Sequence, residues 1–328
     1  MKTTVVGSYP KVTTDNQENL PGTIDRWQKQ QVGSADLEKA LQTTTRRVIQ
    51  EQERAGVDLI TDGQIRWEDL THPVGAKLQG VRLGGLRRFF DNNVYYRRPL
   101  ITGTPTWMAP ILVDWFRQAQ GMATKPLKVA LPGPLTFAVL AEDQRNGQVK
   151  PETLVRELAV ALRKEVETLV AAGVAHIQLD EPALEPGQPM VEAGIRAINE
   201  VFQGIKATRW VACYFHDVTP IISKLAALDA DVLSLDLVAG PSLADRLGAL
   251  PQAVALGVLD ARNTKLESAD AVTALVERAL RQRLGGRADR TWLTPTCGLE
   301  FLPHSQALKK LDLLVSVARR AAGQPALR

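Results

Sequence analysis

Short apolar runs alternate along this chain with longer stretches in which apolar side chains recur every three or four residues. Val57-Asp58-Leu59-Ile60, Val129-Ala130-Leu131, Ile177-Gln178-Leu179, Trp210-Val211-Ala212, Val232 to Leu235, Val254 to Leu259 and Trp292-Leu293-Thr294 read as buried strands, with Val5-Val6 opening the series. Leu37, Leu41 and Val48 mark one face of a helix capped by Ser34 and stopped by Gly56. Leu154, Leu158, Leu162, Val166 and Leu169 mark another, starting at Glu152 and stopping at Gly173. The joint Ala55-Gly56-Val57 is echoed by Ala172-Gly173-Val174. Strands that alternate with helices pair in parallel through right-handed crossovers. Eight such units predict an α/β fold, a (β/α)8 TIM barrel, as a single domain over residues 1–328. The competing doubly wound sheet would carry a glycine-rich nucleotide turn, and neither G-x-G-x-x-G nor a Walker motif occurs.

One region breaks the repeat. The stretch at about 65–125 is far longer than one helix needs, so it reads as an arm inserted after the second strand. Val81 to Tyr96 predicts a hairpin turning near Asp91-Asn92-Asn93. Arg82, Arg87, Arg88, Arg97 and Arg98 lie on or beside it, either as a solvated arm or as a basic flap over the barrel mouth that meets an anionic ligand or partner. Trp67 and Trp107, also in the insertion, read as packing residues.

Composition narrows the function. The chain is 45% hydrophobic and 23% charged with a net charge of +4, which suits a soluble enzyme with a large core and gives no sign of nucleic-acid binding. No apolar run approaches the ~18 residues of a membrane helix, and the first residues are too short in their apolar part for a signal peptide. The expected location is cytoplasmic. Two cysteines, Cys213 and Cys297, cannot make a disulfide framework.

Barrel chemistry collects at the C-terminal ends of the strands. Ser8, Gln64, Asp180, Glu181, Cys213, Asp236, Asp260, Arg262 and Cys297 all fall there. Two thiols and a carboxylate on separate strand ends can converge on Zn²⁺ and leave a fourth position open, and zinc deprotonates a bound thiol. Two buried core thiols are the alternative.

Several segments carry a resemblance: Gly7-Ser8-Tyr9-Pro10, Leu131-Pro132-Gly133-Pro134-Leu135-Thr136, Ile177 to Leu184 with its Asp180-Glu181-Pro182-Ala183-Leu184 block, Cys213-Tyr214, Asp229-Ala230-Asp231-Val232, Val258 to Glu267, and Cys297-Gly298-Leu299. In this order they resemble the catalytic domain of the cobalamin-independent methionine synthase family, here as a short, core-only member. The resemblance implies a barrel in which zinc activates homocysteine, or another small thiol, for methyl transfer. It places Cys213, Cys297 and Asp236 on metal ligands. It places Asp180 on the substrate ammonium with Glu181 in support, and Gly7 and Ser8 on the amino-acid carboxylate. Gln64 falls where a second carboxylate meets the amine.

The chain departs from the pattern at three places. Val211 stands where the family has a histidine ligand, and His216 is either a substitute or an ordinary loop histidine. Gln64 carries no charge. Arg262 replaces a proposed acid histidine and cannot act as a general acid near neutral pH, although it can steady an anionic donor or product. The family's N-terminal half is absent, so the expected donor is a methylcorrinoid protein docking near the arginine arm, with short-tailed methyl-folate second. Two further readings are a metal-free decarboxylase of the uroporphyrinogen decarboxylase type, its arginines holding carboxylates, and a non-catalytic amino-acid or corrinoid binder. Lys265 and Glu267 read as a solvated helix start, and His176 as a core or locally bonded residue.

Overall fold

The computed structural model describes residues 1–13, 20–145, 147, 149–282 and 288–323. Its strands are β1 (Lys2–Thr3), β2 (Gln79–Arg88), β3 (Tyr95–Thr106), β4 (Lys128–Pro132), β5 (Glu142–Asp143), β6 (His176–Asp180), β7 (Thr208–Cys213), β8 (Val232–Asp236), β9 (Ala253–Leu259) and β10 (Thr291–Pro295). Seven of them form one parallel sheet in the order β1-β10-β9-β8-β7-β6-β4. Leu59 and Ile60 supply the eighth position. They bridge Thr4 on one side and Leu127 on the other, with Leu59 N–H to Thr3 O at 3.1 Å and Lys128 N–H to Ile60 O at 2.8 Å. The sheet thus closes on itself as an eight-position barrel.

The first strand starts earlier than the apolar pair Val5-Val6 suggested. Lys2 and Thr3 pair with Trp292 and Leu293, and Val5-Val6 follow the strand. The polar look of this strand is deceptive, because its polar groups are engaged locally: Thr3 donates from N and Oγ1 to Asp58, and Thr4 Oγ1 donates to Leu59 O.

Helices cover the outside. Ser34–Ala55 ends at Gly56, whose φ of 90° is the left-handed conformation that favours glycine. Its cap is Gly33 rather than Ser34, with Asp36 reaching back to the Gly33 N–H at 3.1 Å. Pro151–Ala171 buries Leu154, Leu158, Leu162, Val166 and Leu169, the face its periodicity predicts. Strand residues alternate in direction. On β6, Ile177 and Leu179 join the large outer core, while Gln178 and Asp180 alternate with them toward the barrel axis. Inside the barrel, Leu59, Trp210, Val232 and Ala255 form a small separate apolar layer flanked by Trp292. Lys128 Nζ lies 4.7 Å from the centre of the Trp210 ring. Above that layer the interior turns polar, with Gln178, Asp180, Ser234 and Asp236 buried toward the rim.

The inserted arm is a hairpin longer than predicted, β2 against β3, turning through residues 89–94. β3 also pairs in parallel with β5, a two-residue strand that no apolar pattern announced. This pairing stitches the arm to the loop beyond the third barrel strand. The helix after β9 begins at Ala269, and Glu267 before it is no solvated side chain. It accepts from Lys310 at 2.8 and 2.9 Å and from Asp260 N–H at 2.8 Å, tying the loop to helix His304–Ala321. His176 is bonded locally, accepting from Trp210 Nε1 at 3.3 Å.

Candidate functional site

A cavity of about 320 Å³ opens at the C-terminal mouth of the barrel. Ser8, Gln64 and Asp180 line its polar side, together with Glu68, Asp69 and Glu300; Trp67, Phe89, Tyr95, Tyr214 and Phe301 line the rest. Three of the predicted substrate residues therefore meet in one place, and Gly7 is the reason Gln64 fits. A Cβ at Gly7 would lie 3.1 Å from Gln64 Nε2. Gln64 itself has φ of 52°, a conformation uncommon for a non-glycine residue, held by its N–H to Asp62 Oδ1 at 2.9 Å. Only 8% of Gln64 is exposed, and its Nε2 has no hydrogen-bond partner. A buried donor left unpaired is costly, so at a cavity wall it is a seat for an acceptor on a ligand.

Asp180 ends β6 and is 3% exposed. Gln178 Nε2 donates to its Oδ1 at 2.6 Å and Tyr214 OH to its Oδ2 at 3.4 Å. The same Gln178 amide donates to Val6 O at 2.8 Å, and its carbonyl accepts from Lys128 Nζ at 2.5 Å. Burial pushes the Asp180 carboxyl up to about 7, while the Gln178 bond and the Lys128 charge pull the other way. Burial likewise pulls Lys128 down to about 7. A carboxylate poised near neutrality at the cavity wall, backed by a buried amine, is suited to hold a cationic group.

Glu181, expected in the substrate site in support of Asp180, is not among the residues that line the cavity. It accepts from Leu135 N at 3.0 Å, Thr136 N at 2.8 Å and Thr136 Oγ1 at 2.7 Å, capping the short helix Pro134–Leu140. Alternation along the chain sends it away from the side on which Asp180 lies. Its role is to fix the rim behind Asp180.

The residues expected to hold a metal are at the rim but outside the cavity lining. Cys213 ends β7 and feels chiefly Glu181 and Asp180; Cys297 feels Asp236, Arg262 and Asp260. Burial holds both thiols well above their usual range. Asp236 is engaged by three backbone donors, Phe215 N at 3.2 Å, Val238 N at 3.0 Å and Ala239 N at 2.8 Å. Val211 is buried in the outer core. His216 Nδ1 pairs with Glu185 at 3.0 Å. Among the described residues no three His, Cys, Asp or Glu side chains come together as a metal-holding group. As placed, Cys213, Asp236 and Cys297 are not gathered as a zinc ion requires, and the set does not fit one. Arg262 lies at the rim, 4.9 Å from the centre of the Phe215 ring, and takes no part in the cavity lining.

The arm reaches the mouth through its turn rather than through its arginines. Phe89 packs edge-on against Phe215, with ring centres 6.1 Å apart, and Phe90 lies 5.9 Å from the same ring. Arg97 pairs with Glu68 at 2.9 Å, Arg98 with Glu142 at 2.7 Å and Arg88 with Asp91 at 3.2 Å. Three of the five arginines thus pair with acids of this chain, which favours the solvated arm over the basic flap. The acidic lining of the cavity also argues against a polycarboxylate tetrapyrrole, which it would repel. Trp67, expected first of all to pack, is both buried and a cavity wall. Tyr214, inside a quoted block, and Glu300, directly after one, were given no role by the sequence but line the cavity.

The chain matches the family model described as the catalytic domain of cobalamin-independent synthases. A methionine synthase of Saccharolobus solfataricus is 29% identical, with 96% of this chain and 93% of the relative aligned. A 5-methyltetrahydropteroyltriglutamate–homocysteine methyltransferase of Caulobacter vibrioides is 30% identical over 98% of this chain, which spans only 42% of that relative. Among solved structures, a B12-independent methionine synthase from Shewanella sp. W3-18-1, in complex with selenomethionine, superposes with a TM-score of 0.84 at 23% identity, covering 98% of this chain and 97% of that one. No helix among the described residues is long and apolar enough to cross a membrane. The family match runs over residues 1–320, and the chain belongs to the family of cobalamin-independent synthase catalytic domains.

Proposed function

We propose that this protein methylates the thiol of homocysteine to give methionine, with a methyltetrahydropterin as donor. The observation that carries the reading is the pairing, in one cavity, of a buried unpartnered amide donor at Gln64 with the Asp180 carboxylate. An amino-acid zwitterion matches it: its carboxylate accepts from Gln64 Nε2 and its ammonium donates to Asp180. The family and the names of its relatives support the thiol and the donor. They do not support the expected methylcorrinoid partner, since the family is described as cobalamin-independent. In the reaction the sulfur forms a bond to the methyl carbon as the pterin nitrogen leaves with the electron pair. The thiol proton is released and the pterin nitrogen takes up one. The chain's contribution is to fix the amino-acid end so that the sulfur meets the donor at a set distance.

The direct test supplies homocysteine with 5-methyltetrahydropteroyl mono- or triglutamate, or with methylcobalamin, and measures methionine. Formation from a pterin donor is expected. Methionine from methylcobalamin alone would restore the corrinoid reading, and none from any donor would overturn methyl transfer.

The pH dependence has a definite sign. Methionine has no thiol to titrate, so its binding isolates the subsite. Asp180 must be ionised to hold the ammonium, and its carboxyl is pushed up to about 7. Affinity for methionine therefore rises as pH increases from 6 to 8, and in Asp180→Asn this rise flattens. Calorimetric titration across that range checks it; a flat wild-type profile would remove Asp180 from the subsite.

A further inference from the structure

The cavity holds four acidic residues, and three have evident structural tasks. Asp69 accepts at Oδ1 from Thr71 N, Thr71 Oγ1 and His72 N, and at Oδ2 from Arg97 N. Glu68 is paired with Arg97 at 2.9 Å and lies 3.6 Å from His72. Asp180 anchors the Gln178–Lys128 chain. Glu300 opens onto the cavity from the short turn Leu299–Phe301, directly after Cys297-Gly298, and has Ser8 as its hydrogen-bond donor. The Ser8 loop and this turn are joined by Leu299 N–H to Ser8 O at 2.9 Å. Gly298 makes the closeness possible, since a Cβ there would sit 1.9 Å from Ser8 Oγ.

We propose that Glu300, which lines the same cavity as Asp180, is the second carboxylate of the ammonium subsite, and that the pair makes the enzyme selective for thiol substrates that carry an α-amino group. The proposal rests on the functional reading above and deepens it.

Two observations support it independently. Glu300 and Asp180 line one cavity, and beside the larger effect of burial the charge of Glu300 adds to the upward shift of the Asp180 carboxyl. A cation between them relieves that repulsion. The charged groups near Glu300 are Lys11, Asp69 and Asp180, and Lys11 is turned toward the carbonyl of Trp67, to which it donates. The second observation is Gln64 Nε2, buried and unpartnered on the same wall, which takes the other end of a zwitterion. An ammonium offers three donors and can bond both carboxylates at once.

The test uses the full chain and two probes of equal length: L-methionine and 4-(methylthio)butanoate, which lacks only the amine. Wild type is expected to bind methionine at least tenfold more tightly. A charge-assisted hydrogen bond supports an effect of roughly tenfold. Glu300→Gln should therefore weaken methionine about tenfold and leave the amine-free probe unchanged, so the preference falls by about tenfold. Glu300→Asp should keep part of it. Thermal melts establish that both variants are folded. A Glu300→Gln preference equal to that of wild type overturns the proposal and leaves the function standing. Wild type binding neither probe overturns the functional reading and the proposal together.

Discussion

Asp180→Asn lowers affinity for methionine by roughly 100-fold and leaves the folded state as stable as wild type or more so. The two effects have opposite signs because the residue serves binding at a cost to folding. Its carboxylate is 3% exposed, and burial opposes its charge. Asparagine keeps the shape. Its oxygen still accepts from Gln178 Nε2, now at 2.6 Å from Asp180 Oδ1, and its amide faces Tyr214 OH, which can accept as well as donate. Lys128 loses its counter-charge but is already pulled down to about 7, so it can remain neutral over Trp210. What disappears is the ionic partner of a bound ammonium, and charge-assisted bonds of this kind contribute about 1.5–3 kcal/mol. Calorimetry and thermal melting on the same preparations check both halves. Unchanged methionine affinity would show that the zwitterion sits elsewhere, and a large fall in melting temperature would show that Asp180 is chiefly structural.

The barrel was legible because its strands are buried on both faces and so read as near-continuous apolar runs. Ile177-Gln178-Leu179 ending in Asp180 announces both a strand and a rim carboxylate. Elsewhere the signal was absent for physical reasons. β1 hides because Thr3 and Thr4 satisfy their hydroxyls on Asp58 and Leu59. β5 hides because a two-residue strand has no period to detect, and its pairing depends on where the arm lands. The sequence left two readings of the arginine arm open because the acids that pair with Arg97 and Arg98 lie 29 and 44 positions away in the chain, at Glu68 and Glu142. Among the site residues, Ser8, Gln64 and Asp180 follow from their places at strand ends. Glu300 does not, because it sits in a turn whose direction is set by the packing of Gly298 on Ser8. Glu181, expected in support of Asp180, gives that support through the backbone of the rim, to which it is hydrogen-bonded.

Gly133→Ala is expected to destabilise the protein by about 3 kcal/mol, and most of that loss should vanish when Glu181 is already alanine. The backbone is not the cause. Gly133 has φ −75° and ψ 158°, which any residue adopts. The cause is space: a Cβ would lie 2.1 Å from Glu181 Cδ and Oε1. Glu181 cannot retreat without breaking its bonds to Leu135 N, Thr136 N and Thr136 Oγ1, which are buried. Glu181→Ala alone should cost about 3 kcal/mol, because those donors then lack their acceptor, partly offset by relief of a carboxyl that burial pushes up to about 7. In the double variant the methyl at position 133 occupies room that the shortened side chain has left. The combined loss should therefore fall short of the sum by 1–2 kcal/mol or more. The effect reaches the site as well, since Gly133 N–H donates to Asp180 O at 2.8 Å, so Gly133→Ala should also weaken methionine binding. Urea unfolding of the four proteins measures the cycle. Additive losses would mean that the carboxylate moves aside freely and does not hold the rim on which Asp180 stands.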